Sequence, residues 1–324
     1  MMTNDVSMKN YNCSLAGGIR RSPEFEKKGL AQYAINVGLR CGHDCTYCSS
    51  RAMLRTHDVF RNEDSPVYKQ AFSTGFSIID PDIAKKVAED AKRNRQPGLV
   101  QICTTVDAWA PEAHELRLGR QCLEAVLAQP GWTVRILTKN AAVVEDFDLI
   151  KKHRDRVLVG LSLTATPDRD SVISVIEPYA SPISERMEAL KKAAKLGLRT
   201  YGMLCPLLPG IADAPIQIDE LVEFVADCGA EEVFSEAVNA RGNSLTLTEQ
   251  VLRDKGFVAE ADAIMAIRKE KVWSSYALGL LKNLQKAMQK HMTTDKLRYL
   301  LYPKALADHD LQMIQKNDAG VVWL

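Results

Sequence analysis

The sequence predicts an α/β fold, with six parallel strands, helices packed outside them, and a helical C-terminal region. Three observations lead there. Apolar runs rich in β-formers alternate with amphipathic stretches along most of the chain, the pattern of repeated strand–helix–strand units. The 324 residues, 46% hydrophobic and 26% charged, can fill one large α/β unit without disulfide staples. No stretch is rich enough in Gly, Pro or Ser to mark a sharp linker, and there is no internal repeat or low-complexity run.

Residues 1–30 read as a polar, irregular extension with Gly17-Gly18 and a charged run from Arg20 to Lys28. Strands are expected at 33–39, 99–103, 133–137, 157–163, 199–204 and 232–235. Between them, residues 81–95 place Ile83, Val87, Ala88 and Ala91 at helical spacing, and 116–127, 146–153, 184–196 and 218–228 follow the same rule. Ser184 or Pro182 can start the helix at 184, and Gly197 can end it. Helical periodicity leaves open whether the sheet is flat or curled. From 245 onward the chain reads as mostly helical and basic. The expected organisation is therefore an extension at 1–30, an α/β unit at 31–244 and a helical region at 245–324.

The 42 basic and 41 acidic residues leave a net charge of +1, so a polyanionic partner would need a local patch. The N-terminus lacks the apolar core of a secretory signal, and no run of 18 apolar residues could span a membrane. A cytoplasmic location is expected, where the eight cysteines would stay as thiols or metal ligands. They stand at 13, 41, 45, 48, 103, 122, 205 and 228, three of them within eight residues.

Those three, Cys41, Cys45 and Cys48, follow directly on the first expected strand. Thiolates are the ligands of iron–sulfur clusters, and three rather than four leave one iron open to another ligand. A structural zinc site with a remote fourth ligand, such as Cys13, His43 or Cys205, is the alternative. The C-x3-C-x2-C pattern resembles the radical S-adenosylmethionine (SAM) superfamily. That resemblance implies a [4Fe–4S] cluster on Cys41, Cys45 and Cys48, SAM on the open iron, and an external one-electron reductant. It also implies reductive cleavage of SAM to a 5′-deoxyadenosyl radical that abstracts hydrogen. Tyr47 stands where that family has an aromatic residue near the adenine. The implied fold is a partial (β/α)6 TIM-like barrel, with its site at the C-terminal ends of the strands.

From about 33 to 210 the chain resembles one branch of the superfamily, the spore photoproduct lyase-like proteins. Cys103-Thr104-Thr105-Val106-Asp107 and then Trp109 and Pro111 follow the second strand, as a Thr-Asp-Pro-Tyr-Gln-Pro segment does in the family. Ala108 replaces its Pro, and Glu112 is one place off its acid. Thr138-Lys139 matches a Thr-Lys pair whose lysine meets the SAM carboxylate. Glu177-Pro178 and Arg186 match a Glu-Pro…Glu-Arg stretch that can contact SAM. Ser162 and Thr164 end the fourth strand, where a barrel carries functional side chains. Pro206 to Gly210 resembles a Pro-x-x-Pro-Gly loop. The resemblance makes Cys103 a candidate hydrogen-atom donor to a product radical; a buried, inert strand cysteine is the plain reading.

The lyases carry Tyr on both sides of the last cluster cysteine, whereas Ser49 follows Cys48 here, which points to a relative with another substrate. A nucleic-acid base or nucleotide is the substrate class implied by the branch. A peptide or small metabolite is the alternative, and a zinc-stapled, non-catalytic binding protein is a third reading. Arg268, Lys269, Lys271, Lys282, Lys286, Lys290, Lys296 and Arg298, interleaved with Trp273, Tyr276, Tyr299 and Tyr302, could track phosphates and stack bases. Tyr276, Leu280, Leu284 and Met288 also recur at the spacing of a core-facing stripe.

Overall fold

The computed structural model describes residues 8–239 and 243–324; the reading of the extreme N-terminus falls on residues 1–7, outside them. Its centre is a curled sheet of parallel strands. They are β1 (Tyr33–Ile35), β2 (Leu99–Ile102), β3 (Thr133–Thr138), β4 (Val157–Leu161), β5 (Arg199–Thr200, resuming as Gly202–Leu207), β6 (Val233–Ala237), β7 (Leu297–Leu301) and β8 (Val321–Trp323). Neighbours pair in parallel from β1 to the first part of β5, and again from the second part of β5 to β8. A parallel bridge from Ser162 to Met203 joins the two halves. The parallel α/β barrel read from the sequence is the fold observed. Residues 245–324 are helical as far as His291, and then add β7 and β8, which the sequence did not signal.

Each strand faces two ways, so alternate residues enter two different cores. Outward-facing Ile35, Val100, Ile102, Val134, Ile136, Val157 and Val159 meet the helices in the main core. The helices turn the expected stripes toward them: Ile83–Arg93 buries Ile83, Val87 and Ala91, and Leu118–Leu127 buries Leu118, Cys122, Leu123 and Val126. Inward-facing Leu158, Tyr201, Met203, Phe234 and Leu300 form a separate cluster with Leu30, which fills the lumen below the C-terminal strand ends. Tyr201 and Phe234 meet edge to face at 6.1 Å, and the Arg135 guanidinium lies 4.9 Å from both rings.

Gly160 on β4 makes room for this floor, since a Cβ there would stand 2.4 Å from the Tyr201 ring. Tyr201 cannot swing away without losing the bond from its hydroxyl to the Ile136 carbonyl (2.9 Å). Gly160→Ala is therefore expected to cost about 1–3 kcal/mol by overpacking. Urea unfolding should show a lower midpoint with an unchanged slope; an unchanged midpoint would contradict the close contact.

A second, small sheet joins Lys9–Asn12, Phe76–Ile79 and Gly38–Arg40. The strand expected at 33–39 is therefore two strands. Tyr33–Ile35 stays in the barrel, and Gly38–Arg40 leaves it to pair antiparallel with Phe76–Ile79. Gly38 allows that approach, because a Cβ would stand 2.2 Å from the Ile78 carbonyl oxygen. The result is a supported entry into the loop that starts at Cys41. Among the described residues, no helix is long and apolar enough to cross a membrane.

Candidate active site

Loops from the C-terminal ends of β1, β2 and β3 converge on Asp107. Its carboxylate accepts hydrogen bonds from Thr138 Oγ1 (2.9 Å), the Lys139 backbone N–H (2.8 Å) and the Trp109 backbone N–H (2.9 Å). His43 Nε2, inside the cysteine loop, lies 2.8 Å from Asp107 Oδ2. Burial opposes charge on Asp107, yet His43 and the two backbone donors outweigh it and hold its pKa below the usual value. Asp107 thus ties its own loop after β2 and the loop after β3 to the cysteine loop, and its lone pairs are spent on the chain itself.

Cys103 follows β2 with φ +72°, a left-handed conformation that side chains rarely adopt. The Ala108 N–H donates to its sulfur at 2.9 Å, and the sulfur lies 3.5 Å from Asp107 Oδ1. Burial, reinforced by the negative Asp107, pushes its pKa well up, so Cys103 keeps its S–H at neutral pH. A non-glycine residue held in this way at a strand end is the kind of strain found at functional sites.

The second hub is Glu177, buried to 1% exposure. Its carboxylate pairs with Arg186 and accepts bonds from the Tyr47 hydroxyl and from Thr164 Oγ1 (2.9 Å). Lys139 Nζ stands 3.3 Å away. Burial disfavours the ionised acid, but Arg186 and then Lys139 overcome it, and the pKa falls well below the carboxylate range. Arg186 is fully buried and spends its remaining nitrogens on the Ser162 and Ser181 carbonyls, so its part is to hold Glu177 and the end of β4. Lys139 differs: its ammonium makes no hydrogen bond to the chain and lies 5.8 Å from the centre of the Tyr47 ring.

Cys41, Cys45 and Cys48 line one pocket, partly open to solvent, together with Arg40, Asp44 and Arg51. Burial and the neighbouring Cys48 push the Cys41 thiol up to about 12; burial and Glu177 raise Cys45 as well. Gly42 between them donates to Glu112 Oε1 (2.8 Å), and a Cβ there would stand 2.2 Å from Glu112 Oε2. That second oxygen is buried without a partner. The helix Ser244–Asp254 clamps the loop from outside: Ser244 Oγ donates to the Cys48 carbonyl (2.9 Å), and the Thr46 and Thr248 hydroxyls meet at 3.0 Å. Among the described residues, no three His, Cys, Asp or Glu side chains form a ligand set for a single metal ion. His43, the nearest fourth ligand for a zinc reading, is committed to Asp107 and the Tyr179 carbonyl.

The family model described as the radical SAM superfamily matches residues 35–225, more than half of the chain. The chain belongs to the radical SAM superfamily. It is therefore a radical SAM enzyme. It is 26% identical over 227 residues to an uncharacterized protein of Acidianus two-tailed virus, covering 69% of this chain and 72% of that one. It is 25% identical over 194 residues to an uncharacterized protein of Methanocaldococcus jannaschii, covering 60% and 67%. Among solved structures, spore photoproduct lyase complexed with dinucleoside spore photoproduct shares the fold, with a TM-score of 0.58 at 16% identity over 87% of this chain and 79% of that chain.

Sequence reasoning brought Cys41, Cys45, Cys48, Tyr47, Cys103, Asp107, Lys139, Ser162, Glu177 and Arg186 to one end of the barrel, and the structure places all ten there. It passed over Arg40, Asp44 and Arg51, and gave His43 no role at Asp107. Three of the four C-terminal aromatics, Trp273, Tyr276 and Tyr299, turn inward. Tyr299 is fully buried, and Trp273 and Tyr276 donate to the Val238 and Leu207 carbonyls, so the core-facing stripe is what forms.

Proposed function

We propose that Cys41, Cys45 and Cys48 hold a [4Fe–4S] cluster and that SAM binds beside it against Lys139 and Tyr47. The observation that carries this reading is the pair formed by three cysteines lining one pocket and a nearby buried ammonium with no hydrogen bond. A carboxylate such as that of SAM would satisfy Lys139, while Glu177, 3.3 Å away, keeps the lysine aimed. When bound and reduced by an external one-electron donor, the cluster and SAM supply a radical that takes a hydrogen atom from the substrate.

The chain's own residues do the rest. Tyr47 presents its ring beside Lys139, with its hydroxyl fixed on Glu177. Arg186 and Ser162 brace that arrangement from behind. Asp107 sets the loop carrying Cys103, whose retained S–H is a hydrogen atom available to a product radical. The substrate class favoured here is a nucleic-acid base or nucleotide, supported by the fold shared with a dinucleoside-bound lyase. Ser49, in place of the second tyrosine, supports a product or lesion other than the lyase's own. A peptide or small metabolite is the competing substrate class, and failure to bind DNA or RNA at low salt would favour it. The reducing cytoplasm suits both the thiols and the cluster.

The test is an anaerobic, reconstituted and dithionite-reduced assay for 5′-deoxyadenosine with candidate substrates. Its formation supports the reading; bound zinc, with no absorbance near about 400 nm where thiolate-ligated clusters absorb, sinks it. Cys103→Ala is expected to leave 5′-deoxyadenosine formation within about twofold of wild type but to divert the product. An unchanged product would remove Cys103 from the chemistry.

A further inference from the structure

Arg40 and Arg51 stand at 7% and 4% exposure beside the cysteine loop, and both bind the same oxygen of one acid. Arg40 Nη2 lies 2.7 Å from Asp44 Oδ1, and Arg51 Nη2 lies 2.6 Å from it. Asp44 Oδ2 is occupied by the Gly75 N–H at 2.7 Å. The other guanidinium donors go to neutral carbonyls, at Ala71 and Ser73 for Arg40, and at Ser73, Asp44 and Cys45 for Arg51. Arg40 also stacks on the Phe76 ring at 3.9 Å. Two buried cations thus share one anion, leaving one positive charge without a balancing carboxylate in the cluster.

A loop clamp alone would not be built this way. A single arginine fixes an aspartate, and a second buried charge adds a desolvation cost that neutral carbonyls only partly offset. Both arginines line the pocket of Cys41, Cys45 and Cys48, so the three cysteine sulfurs share a pocket with the excess charge. A positive charge held in a region of low dielectric favours whichever state of its neighbour is more negative.

We propose that Arg40 and Arg51, sharing Asp44, form a buried cationic pair that stabilises the reduced cluster and raises its reduction potential, an inference that rests on the cluster reading above. One electron enters from an external donor, and no bond to either arginine forms or breaks. The arginines are positioning residues that act through charge.

The test is an anaerobic redox titration without SAM, followed by electron paramagnetic resonance, on reconstituted wild type, Arg40→Gln, Arg51→Gln, Arg40→Lys and Arg51→Lys. Each Gln variant is expected to show a reduction equilibrium constant at least tenfold lower, a shift of about 59 mV to more negative potential for one electron. Each Lys variant keeps the charge and should remain near wild type. Gln variants that titrate with wild type overturn the inference, and so do Lys variants that shift as far as Gln. If the Gln variants take up no cluster while the Lys variants do, charge balance is supported at the level of assembly. If both fail to load while wild type loads, the arginines are only a structural clamp and the inference is overturned. A wild-type protein that binds no iron overturns the cluster reading itself, which separates that failure from this one.

Discussion

Cys45→Ala is expected to leave a folded protein that has lost its cluster and its chemistry. Anaerobic reconstitution should give little iron and no absorbance near about 400 nm, and 5′-deoxyadenosine should fall to background. Two thiolates cannot hold the cluster in register with Lys139, so the loss should be near complete rather than graded. The fold should survive, because Cys45 sits in a loop braced independently by Arg51, His43 and Ser244. Cys122→Ala is the control: Cys122 is fully buried on the inner face of the helix Leu118–Leu127, away from the pocket, and its variant should load iron as wild type does. If Cys45→Ala loads a full cluster, the ligand assignment is wrong.

The same assignment has a pH consequence. Burial disfavours both thiolates, pushing the Cys41 thiol up to about 12 and raising Cys45 well above the usual cysteine value. Iron must displace those protons, so loading releases protons and is favoured as pH rises. Reconstitution should therefore be more complete at pH 8.5 than at pH 6.5.

What could be read from the sequence was whatever is local. The spacing of Cys41, Cys45 and Cys48 is a local property, and so is the alternation that located β1 to β6. The Thr138-Lys139 pair, at a strand end, was singled out by the resemblance. The small sheet was not, because Lys9–Asn12 and Gly38–Arg40 are too short for periodicity to register, and their partner Phe76–Ile79 is distant in sequence. β7 was hidden because Leu297–Leu301 carries Arg298 and follows a basic helix of 22 residues, so its charge resembled more helix. Arg40, Asp44 and Arg51 looked like ordinary loop charges. Only the third dimension shows that they are buried, and that one acid serves two bases. Likewise Asp107 and Arg186 were located by resemblance, and hydrogen-bond accounting shows which chain atoms they bind.

Glu177→Ala should be the most damaging substitution for stability as well as for the site. Arg186 is fully buried, and Glu177 is the carboxylate that compensates it. Removing one partner of a buried pair costs about 3–5 kcal/mol, because the remaining charge stays desolvated. At about 2–4 °C per kcal/mol, the melting temperature should fall by roughly 6–20 °C. Glu177→Gln keeps the shape and an acceptor for Tyr47 and Thr164 but loses the charge, so it should fall between wild type and Glu177→Ala. The pH dependence follows from the depressed pKa of Glu177. Its stabilisation is fully present above the unfolded carboxylate value of about 4.3, and is lost as pH falls from there toward the folded value. The gap between wild type and Glu177→Gln should therefore be constant from pH 7 to 5 and shrink below about pH 4. Lys139 loses its anchor in the same variant, so SAM affinity should drop by about tenfold or more in equilibrium dialysis. A Glu177→Ala protein that melts with wild type at pH 7 would show that Arg186 finds another partner, and the second hub of this site would have to be redrawn around it.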